Sequence, residues 1–153
     1  MPVFEWKEFF SVVHDDLDDQ HKQLFAIVDD LYEGTRRDSD ASDELLRQTI
    51  AALGTYIRTH FADEERLMRI AGYPNFARHK LAHDALIARV AEFDTGLNEG
   101  GVRRAAGLLP FLVGEWLSDH IAFEDQQYAG CVNSHARNPR AKYSALKELE
   151  STA

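Results

Sequence analysis

A chain of 153 residues with 44% apolar side chains is long enough for one domain with a core of its own. Its formal net charge of −9, from 26 acidic and 17 basic side chains, opposes phosphate neutralisation, which argues against nucleic acid and anionic membrane surfaces as partners. The single cysteine, Cys131, cannot form an internal disulfide, so nothing asks for an oxidising compartment and a cytoplasmic location is expected.

The first residues, MPVFEWKEFF, have no basic region ahead of a long apolar run and do not read as a signal peptide. Residues 108–113 form the longest apolar stretch, far short of the ~20 residues of a membrane helix, so no membrane insertion is expected. Phe4, Trp6, Phe9 and Phe10 give residues 1–16 too much aromatic surface for a free tail, and an ordered N-terminal arm is predicted. Turn signals at residues 34–42 (GTRRDSDAS), at Gly72-Tyr73-Pro74, at residues 98–101 (NEGG) and at Gly130 then cut the chain into four long segments.

None of the four shows the alternation of a half-buried strand; all repeat apolar residues at helical spacing. The first carries the stripe Leu17, His21, Leu24, Val28 and Leu31. The second carries Leu46, Ile50, Leu53, Ile57, His60, Glu64 and Leu67, and the third Phe76, His79, His83, Leu86, Val90, Phe93 and Leu97. The fourth carries Leu109, Val113, Trp116 and His120, and Pro110 inside it predicts a kink or a late helix start. Short connections between long helices favour antiparallel neighbours, so the expected fold is all-α, an up-down-up-down four-helix bundle. Residues 1–130 are its domain, with the arm at 1–16. Residues 131–153 are a short C-terminal extension, in which 138–149 can form a helix with Tyr143, Leu146 and Leu149 on one side.

Every stripe contains a histidine. A buried neutral histidine needs partners for both ring nitrogens, and a buried carboxylate needs a compensating charge. Five histidines and Glu64 on inward seams of one bundle would be a defect unless something positive sat among them, and a metal removes the conflict. The spacing agrees: His60 and Glu64 are four apart, as are His79 and His83, so each pair leaves one helix face toward a common point. Asp125 lies five residues after His120, which on a regular α-helix turns it roughly 140° away. Either it reaches in from the edge of the stripe, or a π-type bulge brings it round. His14 precedes the first stripe and His135 follows Gly130 among polar residues, so both read as ordinary surface histidines. Glu65 and Glu124, beside the chosen carboxylates but at the wrong offset, read as solvated.

The segments LDDQHKQL (17–24), HFADEERLM (60–68), YPNFARHKLAH (73–83) and WLSDHIAFED (116–125) together resemble the hemerythrin family in its single-domain bacterial form, from about Trp6 to Tyr128. The resemblance implies a non-haem di-iron centre. His21 and His60 would bind one iron, His79, His83 and His120 the other, and Glu64 and Asp125 would bridge them beside an oxo or hydroxo group. It implies reversible dioxygen binding for carriage, storage or delivery, with dioxygen held end-on as hydroperoxide at the His21/His60 iron, which has the open position. Leu24, Phe61, Trp116 and Ile121 would line that position. Ligand type supports a carrier over an oxygenase: ferritin-like di-iron proteins use Glu-x-x-His motifs rich in carboxylate, whereas five of the seven side chains here are imidazoles. An apolar lining offers no acid to drive O–O cleavage. The chain is accordingly not expected to be an enzyme. The alternative is a di-iron ferroxidase or peroxide-reducing enzyme, with a third reading as an oxygen or redox sensor acting through a separate partner. The family departures are His14, where a small or aliphatic residue is usual, and the length of residues 131–153.

Overall fold

The computed structural model describes residues 4–36, 40–100, 107–108 and 110–137, and among them every regular element is helical. The arm leads in through a single 3-10 turn, Glu8–Phe10, and three α-helices follow: α1 (Asp15–Thr35), α2 (Asp40–Ala71) and α3 (Phe76–Gly100). The fourth helix, α4, has two parts in direct succession, a π-helical stretch Leu112–Glu124 and an α-helical stretch Asp125–Arg137. This is the four-helix bundle expected from the periodicity.

The stripes face inward. Leu17, Leu24, Val28 and Leu31 of α1, Leu46, Ile50, Leu53 and Ile57 of α2, Leu86 and Val90 of α3, and Trp116 of α4 are buried. Each such side chain is worth about 1.5–3 kcal/mol in water removed from apolar surface. Met68, not Leu67, is the buried member at the end of the α2 seam, and in the fourth segment Leu108 and Leu112, which the stripe did not include, are buried. Leu109 and the side chains of Leu97 and Val113 lie outside the described residues. Gly34, buried in the last turn of α1, lets α2 come close; a Cβ there would stand 2.7 Å from Leu46 Cδ2.

The ends of the helices are set by local chemistry. His14 caps α1, its Nδ1 accepting from Leu17 N–H at 3.4 Å, and Asp15, Asp16 and Asp18 place negative charge on the positive end of that helix dipole. Helix α2 stops at a Schellman turn: Gly72, at φ +68°, donates to Arg69 O at 3.1 Å, and Tyr73 N–H reaches Met68 O at 2.9 Å. Tyr73 and Met68 then pack in one cluster with Val12, Leu17, Tyr128 and Val132. Gly130 does not end α4, which runs through it to Arg137, and α3 runs through Asn98 to Gly100. A glycine closes a helix only where the chain turns into the left-handed region, and of the described glycines Gly72 alone has a positive φ.

Pro110 does not mark a late start, because Gly107 and Leu108 are already helical; two residues after it, at Leu112, the hydrogen bonding changes to the π pattern. The arm is packed. Phe4 N–H donates to Asp29 Oδ1, Gln126 Nε2 donates to Phe10 O and Ser11 O, and Phe4, Trp6 and Phe10 lean on the core, while Phe9 stays 61% exposed against the Phe10 ring. The helix foreseen at 138–149 lies outside the described residues.

Candidate metal centre

Toward the end of the bundle where α2 turns into α3, the apolar layers give way to a polar one. His21 from α1, His60 and Glu64 from α2, His79 and His83 from α3, and His120 and Asp125 from α4 are all at most 4% exposed. The i,i+4 pairs on α2 and α3 arise from regular helix geometry. Asp125 arrives differently: its N–H donates to His120 O, five residues back, so the π pattern turns Asp125 onto the same face as His120. The bulge considered for residues 120–125 is thus part of a longer π-helical stretch.

The five histidines converge through their Nε2 atoms on the two carboxylates. Glu64 Oε1 is 3.0 Å from both His21 and His60, and Glu64 Oε2 is 3.0 Å from His83 and 3.9 Å from His79. Asp125 Oδ1 is 3.1 Å from His79 and from His120, and Oδ2 is 3.2 Å from His21. Of these approaches only that of His21 Nε2 to Glu64 Oε1 is a hydrogen bond. The Nε2 atoms of His60, His79, His83 and His120, together with Glu64 Oε2 and both Asp125 oxygens, have no hydrogen-bond partner although they are buried. Leaving so many polar atoms unsatisfied in a core costs about 1–3 kcal/mol each, and a cation seated among them would satisfy nitrogen and oxygen together. Two groups have the required compactness: Glu64, His79, His83, His120 and Asp125, and His21, His60 and Glu64, their donor atoms lying within 4.8 Å of one another in each. They share Glu64, and Asp125 also reaches His21.

Without a cation the charges must balance by protons. Burial disfavours a charged His21, but the carboxylates of Asp125 and Glu64, 3.2 and 3.0 Å from its Nε2, outweigh it and hold the ring's pKa up to about 10. His79, against the same burial penalty and lifted by the same two carboxylates, is held at about 9, and His120 is raised, chiefly by Asp125. Glu64 is pushed up by burial and down more strongly by His60 and His21, ending well below the usual carboxylate range; Asp125 is lowered likewise, with His120 and His21 overcoming burial and the charge of Glu64. The site is built to hold positive charge around two anions.

Several neighbours of the rings escaped the reading by stripes. Gln20 Oε1 lies 2.7 Å from His60 Nδ1, and Glu65 Oε1 lies 3.0 Å from His83 Nδ1. Glu65, with 12% of its side chain exposed, is not the solvated residue its offset suggested. It stands next to Glu64, about 100° round α2, where it meets the back of a ring from α3. Tyr128 donates to Glu64 Oε1 at 3.0 Å; burial and the nearby carboxylates push its hydroxyl pKa well above the usual value, so it stays a donor. Its place three residues after Asp125, on one helix face, was the available signal. His14 is a helix cap, as above, and the side chain of His135 lies outside the described residues.

Leu24, Phe61, Trp116 and Ile121 are buried in one apolar cluster beside the rings. Phe61 stacks on His83 with centroids 3.9 Å apart and planes 5° from parallel, and meets Trp116 and His120 at 5.8 Å. Trp6 of the arm stacks over His21 at 6.3 Å, and Tyr73 and Tyr128 stand edge-on to His79. No described helix is long and apolar enough to cross a membrane.

Comparison with known proteins gives a consistent picture. Residues 12–132 match the family described as the hemerythrin HHE cation binding domain. The chain is similar to a bacteriohemerythrin of Stenotrophomonas maltophilia, 32% identical over 136 residues that cover 88% of this chain and 85% of that one. It is similar to a hemerythrin of Siphonosoma cumanense, 32% identical over 127 residues, covering 83% and 92%. A crystal structure of wild-type hemerythrin superposes with a TM-score of 0.71 at 28% identity, covering 85% of this chain and 98% of the other.

Proposed function

The chain belongs to the hemerythrin family, and from that premise we propose that its buried cluster holds two iron ions and binds dioxygen reversibly, for carriage, storage or delivery. The observation that carries this reading is the set of four buried Nε2 atoms, of His60, His79, His83 and His120, that stand 3.0–3.1 Å from a carboxylate oxygen without hydrogen-bonding, in two compact groups joined by Glu64. In this reading His79, His83 and His120 would hold one ion and His21 and His60 the other, with Glu64 and Asp125 placed to serve both. The His21/His60 side, with two imidazoles against three, would be the one that takes dioxygen. Bound there, iron would supply the electrons that dioxygen takes up and returns.

The chain's own residues do the rest. Leu24, Phe61, Trp116 and Ile121 keep water and anions away from the open side and place no acid there to promote O–O cleavage. Tyr128 holds Glu64 in place from outside the ring of histidines. Reversible binding rather than turnover follows, and dioxygen is the one small-molecule partner assigned. A lone cysteine and the acidic balance suit a cytoplasmic protein.

The test is metal analysis combined with visible absorption through cycles of oxygenation and deoxygenation. Two irons per chain, with a band that appears with dioxygen and vanishes on its removal, are expected. One zinc per chain and no visible band would overturn the di-iron reading, and irreversible oxidation with sustained peroxide consumption would replace the carrier by a ferroxidase or peroxidase.

A further inference from the structure

Gln20 on α1 and Asp63 on α2 lie outside the seven-residue cluster, yet they determine how one of its rings is presented. The Gln20 amide has one accepting and one donating end. Whichever end faces His60 decides which ring nitrogen carries the proton. Asp63 removes the ambiguity. Its carboxylate can only accept, and it lies 2.9 Å from Gln20 Nε2, so the amide nitrogen faces Asp63 and the amide oxygen faces His60 at 2.7 Å. That oxygen can only accept in turn. His60 Nδ1 therefore carries the proton, and Nε2, 3.0 Å from Glu64 Oε1, turns its lone pair into the cluster. Tyr56 steadies the arrangement by donating to Gln20 O at 3.3 Å, and Arg66 Nη2 keeps a positive charge 4.0 Å from Asp63 Oδ1.

We propose that Asp63 is a positioning residue for the metal centre, fixing the Gln20 amide and, through it, the ring tautomer of His60 that a cation requires. The inference rests on the reading of His60 as a metal ligand. His83 needs no such device: its Nδ1 meets the carboxylate of Glu65 directly, and either oxygen of that group accepts. The His60 ring, by contrast, depends on an amide that can face two ways. The outer end of the relay is at the surface. Asp63 keeps 37% of its side chain exposed and borders a polar groove of about 320 Å³ with His14, Asp16, Asp19 and Gln20, so its replacement opens no hole in the core.

The test uses the full chain loaded with zinc, a diamagnetic ion that leaves ligand resonances visible. In Asp63→Ala the Gln20 amide is free to turn. Exchange of the His60 Nδ1–H with water, and release of one of the two zinc ions to a chelator, should each accelerate by roughly tenfold, the low end of what outer-shell changes cost. Adding Gln20→Glu should bring both rates back to within about twofold of the wild type, because a carboxylate at position 20 accepts from His60 in either orientation. Unchanged rates in Asp63→Ala, or a double variant no better than Asp63→Ala, would overturn the role of Asp63. A wild-type chain that takes up no zinc overturns the metal reading and this inference with it, a failure distinct from a loaded chain indifferent to Asp63.

Discussion

Glu65 accepts from His83 Nδ1 at 3.0 Å, close enough to fix the ring's tautomer and to make its inward nitrogen a better donor. Glu65→Leu keeps the bulk and removes the acceptor, leaving a buried N–H unpaired. Metal affinity is expected to fall by about 10–100-fold, measured by competition with a chelator, while Glu65→Gln, whose amide oxygen still accepts, retains most of it. Equal retention by the leucine variant would show that the contact does not hold the ring. His83→Ala goes further. It takes away the imidazole nearest Glu64 Oε2 and the ring on which Phe61 stacks. The loss of at least one metal ion per chain and about 2–5 kcal/mol of stability is expected, the range for emptying a core position; unchanged metal content would remove His83 from the ligand set. Contacts of this kind cross between helices. A stripe read along one helix finds His83 and Glu64, which face the bundle axis, but cannot find Glu65 or Gln20, which meet the rings from the side.

At the scale of the helix, the backbone offers two positions with the same left-handed conformation and opposite consequences. Gly72, at φ +68°, closes α2 at no steric cost, whereas Val13, at φ 55°, places a β-branched side chain in a region that costs L-residues about 1–2 kcal/mol. Gly72→Ala should lower Tm by roughly 2–4 °C and Val13→Gly should raise it by up to a similar amount, reduced by glycine's greater freedom in the unfolded chain. Thermal unfolding of the two variants beside the wild type checks both; a drop in Val13→Gly would mean that Val13, 70% exposed, contributes packing that offsets its strain. The turn at residues 72–74 was legible because Gly, Tyr and Pro there carry conformational constraints of their own. The seams of α1, α2 and α3 were legible because burial repeats every three or four residues. Helix α4 was only half legible. Its π-helical register shifts side chains relative to an α-helical count, so the sequence signalled a problem at Asp125, five residues after His120, without showing that the irregularity begins at Leu112. Gly130 misled for the converse reason: an exposed glycine with ordinary helical geometry does not end a helix.

For the whole molecule, charge in the core ties stability to pH and metal. In the chain without cations, His21 and His79 have pKa values of about 10 and about 9, both above the ordinary 6.5. A group whose pKa rises on folding contributes stability that is complete below its unfolded value and disappears as pH climbs through the folded one. Glu64 and Asp125 act in the opposite sense: their lowered pKa values contribute stability above the ordinary carboxylate range, and that contribution is lost in acid. The metal-free chain should therefore be most stable between the carboxylate range and about pH 6.5, and its urea midpoint should fall steadily toward about pH 10. Cations in the same place change the sign of the problem. They supply the positive charge that protons otherwise supply, so the loaded chain releases protons on taking up metal and its midpoint should stay level through the same alkaline window. Urea titrations of stripped and reloaded protein across that window test the coupling. A stripped chain that is as stable at pH 10 as at neutrality would mean that His21 and His79 are uncharged in the folded state, and that some other arrangement neutralises the two buried carboxylates.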